Sequence, residues 1–126
     1  MPRKTFTSDR IAPAVGPFSA AVLGAGDAVY LSGQVGQDPA TGKLVDGGVA
    51  AQTEQALRNL SAVLQGAGRT LDDVVRVGVY LADFGDFAAM NEAYARWFEQ
   101  PYPARTTIGV AALPLGAAVE IDLVAK

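Results

Sequence analysis

Apolar and polar residues change their spacing along this chain, and the changes mark its elements. Ala20–Leu23 and Ala28–Gln34 flank the turn-rich Gly24-Ala25-Gly26-Asp27, which predicts a β-hairpin. Residues 4–7 fit a short edge strand before it. Residues 11–20, with two prolines and a glycine, read as an ordered loop, and 36–48 as a second, turn-rich one. From Val49 the period becomes helical. Leu57, Leu60, Leu64 and Ala67 form a stripe that Ala56 and Val63 widen, Glu54 and Arg58 pair on the outer side, and Gly66 and Gly68 end the helix. The run VVRVGVYL (74–81) predicts a strand apolar on both sides. Asp83, with Asp86 three residues on, resembles a capped helix start. Phe87, Met90, Tyr94 and Trp97/Phe98 then predict a second amphipathic helix, stopped by Pro101 and Pro103. Strands at 104–113 and 117–126, joined by Pro114-Leu115-Gly116, complete the chain.

The predicted order is β-β-β-α-β-α-β-β over one domain, 1–126: an α+β fold, with two helices packed on one face of a mixed sheet. The other face must meet water or another subunit. Apolar residues on both sides of 74–81 favour a subunit in a symmetric ring. At 18% charged residues the chain falls below the usual quarter. A partner covering part of the surface fits that shortfall, and so does an alanine-rich protein with neutral loops.

Charge and missing residue types narrow the chemistry. The net charge is −3 and the densest basic cluster is Arg3-Lys4, so no nucleic-acid partner is expected. The absence of cysteine and histidine removes disulfides, thiolate nucleophiles, Ser–His–Asp and Cys–His arrangements, and the commonest metal ligand. Carboxylates do not cluster at ligand spacing, and the chain has no P-loop and no GxGxxG after a strand. No metal or cofactor is therefore expected. The N-terminus lacks the apolar run of a signal peptide and no stretch approaches a membrane span, which predicts a cytoplasmic protein without a membrane partner.

A few residues carry candidate chemistry. Arg105, just after Pro103 among small neutral neighbours, is the best available carboxylate receptor: planar, always charged and able to bind bidentately. Alone it is more often a surface arginine at a strand edge. In VEIDLVA, Glu120 and Asp122 point away from the face of Val119, Ile121, Leu123 and Ala125. A carboxylate there could hold a water and exchange protons with it, or merely face solvent. Gly33, between Ser32 and Gln34 at a strand end, leaves backbone N–H groups open to a ligand, or marks an ordinary turn. Asn91 falls on the apolar stripe of the second helix and needs a partner, catalytic or structural.

Taken together, AVGPFS (14–19), YLSGQVGQDPATGKLV (30–45), AAQTEQALRNL (50–60), VVRVGVYLADFGDFAAMNEAYARWF (74–98) and PARTT…VEIDLVA (103–125) resemble the RidA/YjgF family of reactive-intermediate deaminases over nearly the whole chain. The resemblance implies a homotrimer with a chorismate-mutase-like fold. It implies cofactor-free hydrolysis of 2-aminoacrylate and related enamine or imine acids, which escape from pyridoxal-phosphate enzymes, to 2-keto acids and ammonia. It makes Arg105 the carboxylate receptor and Glu120 the water-associated glutamate, with Ser32, Gly33 and Asn91 in the pocket. Two positions depart from the pattern: Phe18 stands where many members carry a phenol, and Thr107 where many carry a cysteine. Both bear on substrate range and rate.

A tight hairpin of 104–113 and 117–126 would set residue 110 opposite 120. Arg105 would then lie about five residues, roughly 16 Å, from Glu120. The expectation is that Arg105 of one subunit meets Glu120 of the next, with Phe18 also crossing the interface. Two other readings remain. A trimer could capture a small carboxylate without turning it over. A ribonuclease, an activity sometimes attached to the family, is opposed by the acidic balance and the missing basic patch.

Overall fold

Residues 2–126 are described by a computed structural model. Its strands are β1 (Thr5–Phe6), β2 (Ala21–Leu23), β3 (Val29–Val35), β4 (Val74–Leu81), β5 (Ala104–Gly109) and β6 (Val119–Ala125), and its main helices are α1 (Gly48–Gly66) and α2 (Phe87–Ala95). All six strands join one mixed sheet in the order β1-β2-β3-β6-β4-β5. The α+β architecture and the β2–β3 hairpin are as the sequence predicts.

Both helices cover the same side of that sheet. The stripe Leu57, Leu60, Val63 and Leu64 of α1, with Met90 of α2, packs on Val77, Val79, Leu81, Val119, Ile121 and Leu123, and all are buried. At the end of α1, Gly68 takes φ +73, and the Gly68 and Arg69 amides donate to the carbonyls of Gln65 and Leu64. A left-handed residue there satisfies the last carbonyls, which is why a glycine occupies it.

The last two strands do not form the predicted hairpin. β5 runs parallel to β4 at the sheet edge, and β6 lies antiparallel between β3 and β4. The β4–α2–β5 crossover returns the chain to the starting end of β4, so β5 can pair only in parallel. Segment 110–118 then passes the far end of β4, where the Val110 amide donates to Leu81 O and the Ala82 amide to Ala118 O. It delivers β6 into the slot between β3 and β4, where both its edges are paired.

Three local expectations are also corrected. A bulge between Val74 and Arg76 turns Val75 outward, and alternation with the buried Val77, Val79 and Leu81 puts Arg76, Gly78 and Tyr80 on that far face, so it is aliphatic only at its start. Glu54 pairs with Arg96 at 2.8 Å and accepts from Trp97 Nε1 at 2.6 Å, while Arg58 bonds Gln55 and lies over the Trp97 ring. The fold brings those partners across from the α2 end, closer than the next turn of α1 can. Asp83 caps a single 3-10 turn, Phe84–Asp86, through the Gly85 amide, and that turn feeds α2. α2 ends at Ala95 because Arg96 and Trp97 bond back three residues, tightening the last turn.

Candidate active site

Sheet register decides where the candidate groups can meet. Cross-strand partners share a face. Val77 of β4 pairs with Leu123 on one side and Arg105 on the other, so Arg105 projects toward the helices. Tyr80, three residues further along, pairs with Glu120 and Ile108, so Glu120 projects from the bare face. The two side chains therefore stand on opposite sides of one sheet. Within a chain they are kept apart by the sheet itself, not by the hairpin spacing that the sequence suggests.

Each group has its own groove. On the Glu120 side a cavity of about 600 Å³ is lined by Phe18, Ser32, Gly33 and Glu120, with Val15 and Leu115 among the apolar walls. The Ser32 hydroxyl donates to Ser19 O at 2.6 Å and its amide to Ala20 O, pinning the 11–20 loop on β3 and thereby placing Phe18. Gly33 lies against the Glu120 carboxylate: a Cβ there would stand 2.8 Å from Oε2. Burial, and secondarily the Asp122 carboxylate, push the Glu120 pKa above its ordinary value. Asp122 in turn accepts from the Tyr80 hydroxyl at 3.0 Å.

On the helix side, Arg105 and Asn91 line a smaller groove of about 270 Å³ with Tyr94, Ala95 and Tyr102. The guanidinium carbon sits 4.7 Å from the Tyr94 ring centre and 5.8 Å from that of Phe87. Among the described residues, Arg105 forms no ion pair in its own chain, and its polar contact with the Tyr94 hydroxyl is too loose to be a well-formed hydrogen bond. Asn91 Oδ1, the Tyr94 hydroxyl and the Thr107 hydroxyl are buried without a well-formed hydrogen bond. Orphaned polar atoms around an unneutralised cation are costly unless something outside the chain completes them.

The predicted residues thus fall into two groups. Phe18, Ser32, Gly33 and Glu120 are brought together in one groove, and Asn91 and Arg105 in the other. Thr107 lies two residues beyond Arg105 on the same face but lines neither groove. Tyr94 was legible only as a core position, and Tyr102 and Leu115 gave no functional signal. The register that aligns them is not written in their local sequence. Among the described residues no three His, Cys, Asp or Glu side chains gather to hold a metal ion, and no helix is long and apolar enough to cross a membrane.

Gly33 supports a specific expectation. Gly33→Ala should lower turnover by about tenfold to hundredfold by displacing the Glu120 carboxylate. The melting temperature should barely move, because the clash falls on the end of a flexible side chain. Steady-state kinetics beside a thermal melt would check this, and unchanged kcat would detach Gly33 from the site.

Known proteins match this chain end to end. The family model described as Endoribonuclease L-PSP matches residues 7–126. Protein DfrA of Myxococcus xanthus is 48% identical over 126 residues, covering 99% of this chain and 96% of that protein. A Bos taurus protein named 2-iminobutanoate/2-iminopropanoate deaminase is 45% identical over 123 residues, covering 98% and 89%. The crystal structure of RidA from the Antarctic bacterium Psychrobacter sp. PAMC 21119 superposes with a TM-score of 0.92 at 45% identity, covering 98% of each chain.

Proposed function

This chain belongs to the Endoribonuclease L-PSP (YjgF/RidA) family, and from that footing we propose that it is a homotrimeric hydrolase of 2-imino acids. Its products are 2-keto acids and ammonia. The relatives named as deaminases support the reaction class. The observation that carries the reading is the split site: a free guanidinium in one groove and a raised-pKa carboxylate in another, on opposite faces of one sheet. A ring of copies joins the arginine groove of one subunit to the glutamate groove of the next. Exposed apolar residues, Phe18, Val15 and Leu115 at the first groove, Tyr102 at the second, Tyr30 and Ile108 on the bare face, favour such a seam.

The chemistry needs little more. Arg105 takes the substrate carboxylate through its N–H fork, beside the Asn91 side chain. An enamine substrate first tautomerises to the imine. Glu120 accepts a proton from a water that adds to the imine carbon, forming a carbinolamine. Return of that proton to the nitrogen completes the carbinolamine; Glu120 then takes the hydroxyl proton and hands it to the nitrogen as the C–N bond breaks, so ammonia leaves and the carbonyl forms. The imine is already electrophilic, so orientation and exclusion of bulk water supply the acceleration. Phe18 and Leu115 form the apolar wall beside the carboxylate. RNA cleavage is not favoured: no lysine or arginine of the same chain lines the Glu120 groove, and the single Arg105 that a neighbouring subunit would bring supplies too few cations for a phosphate backbone.

The test follows the decay of freshly generated 2-iminopropanoate or 2-iminobutanoate with and without the protein. Faster keto-acid release supports the reading, and an unchanged rate would leave a carboxylate-binding protein. The acid limb of kcat/KM should lie above the ordinary carboxylate range. Glu120 must be ionised to accept a proton, and burial followed by Asp122 holds its pKa up. Activity is then lost as pH falls through that raised value. Asp122→Asn should move the limb to lower pH while leaving the plateau in place.

A further inference from the structure

Arg105 is held in an unusual way. A partly buried arginine is ordinarily oriented by a carboxylate, which also occupies its donors. Here the single ion pair among the described residues is Arg96 with Glu54, and Arg105 takes no part in it. What faces the Arg105 guanidinium instead is aromatic: the ring of Tyr94 at 4.7 Å and that of Phe87 at 5.8 Å. These two residues, seven apart on α2, share one helix face. Each ring is itself braced, Tyr94 on Phe98 at 4.7 Å between centres and Phe87 on Phe84 at 5.0 Å. An aromatic face attracts a cation without consuming its N–H donors. A carboxylate in the same place would compete with the ligand.

We propose that Tyr94 is the positioning residue for Arg105: its ring face carries the guanidinium and leaves the N–H fork free for the carboxylate of the substrate. The inference rests on the carboxylate-binding role given to Arg105 above. Two further facts accord with it. Tyr94 is only 6% exposed, so the platform is anchored in the core. Its pKa is raised, chiefly by burial, with Arg105 partly opposing, so the phenol stays neutral. The hydroxyl forms no well-aligned hydrogen bond, although its contact with Arg105 opposes part of that rise. The ring face is the stronger contact, with the guanidinium carbon 4.7 Å from its centre, and removing the oxygen alone tests it.

The experiment measures binding of 2-oxobutanoate, the keto-acid product, and of its neutral amide, by calorimetry on the assembled protein. The wild type should prefer the acid by about tenfold or more, as expected for a charge-assisted contact. Tyr94→Phe keeps the ring and should hold both affinities within about twofold, because the ring face that bears the cation is unchanged and only a loose hydroxyl contact is lost. Tyr94→Met fills much of the space without a ring face. It should weaken acid binding by about tenfold, in line with a desolvated cation–π contact, and leave amide binding unchanged. In kinetics the same variant should raise KM with kcat nearly intact. Tyr94→Leu repeats the test if the methionine variant fails to assemble. A purely structural role for Tyr94 would lower stability without altering the acid-to-amide ratio. If Tyr94→Met keeps the wild-type ratio, Tyr94 does not position Arg105. If the wild type itself fails to distinguish acid from amide, the carboxylate-binding role of Arg105 falls as well.

Discussion

Arg105→Ala should lower kcat/KM toward a 2-imino acid by about three orders of magnitude, ~4 kcal/mol of lost transition-state stabilisation. The size follows from the setting. The groove offers the substrate carboxylate no second cation: Asn91, Tyr94, Ala95 and Tyr102 are its other lining residues. Lysine should restore little, because a point charge cannot reproduce the planar fork and would sit differently on the Tyr94 ring. Folding should change little, since relief from burying the cation is offset by loss of its contacts with the Tyr94 and Phe87 rings. Kinetics of the alanine and lysine variants on one imine, with their melting temperatures, make the comparison. Activity within tenfold of wild type for Arg105→Ala would place the carboxylate elsewhere.

Mixing two dead variants should revive activity. Arg105→Ala and Glu120→Ala are each expected to be nearly inactive alone. If a site takes Arg105 from one subunit and Glu120 from the next, a mixed ring contains some intact pairs. Random assembly at equal amounts leaves about a quarter of the sites whole. Co-expressed or co-refolded mixtures should therefore recover roughly that fraction of wild-type activity, a rise of two orders of magnitude or more over either parent. A site built within one chain predicts no recovery. The register already disfavours that alternative, because Val77 and Tyr80 lie on opposite faces of β4 and align Arg105 and Glu120 accordingly.

Local pattern was enough for most of the elements. The helical stripe of Leu57, Leu60 and Leu64 became the buried face of α1, and the alternation in VEIDLVA put Glu120 and Asp122 on the face away from the core. Periodicity is set by backbone geometry over a few residues, so it can be read without the fold. The Glu54–Arg58 pair failed for the opposite reason. Spacing along a helix says who can meet within it, but Arg96 and Trp97 reach Glu54 from another element.

Motif resemblance singled out Arg105, Glu120, Ser32, Gly33 and Asn91, and it marked Phe18 and Thr107 as departures. Only the tertiary structure separated them. Strand pairing is non-local, so nothing within 104–126 reveals that β5 would run parallel to β4 while β6 slid between β3 and β4. That topology put the arginine beneath the helices and the glutamate on the bare face. It also set Tyr94, by spacing merely a core residue, directly under the guanidinium. What the sequence determined was the list of candidate groups and, in VEIDLVA, the face that Glu120 and Asp122 would show. Which groups share a groove was decided by strand order, because pairing partners far apart in the chain fix which face each side chain occupies.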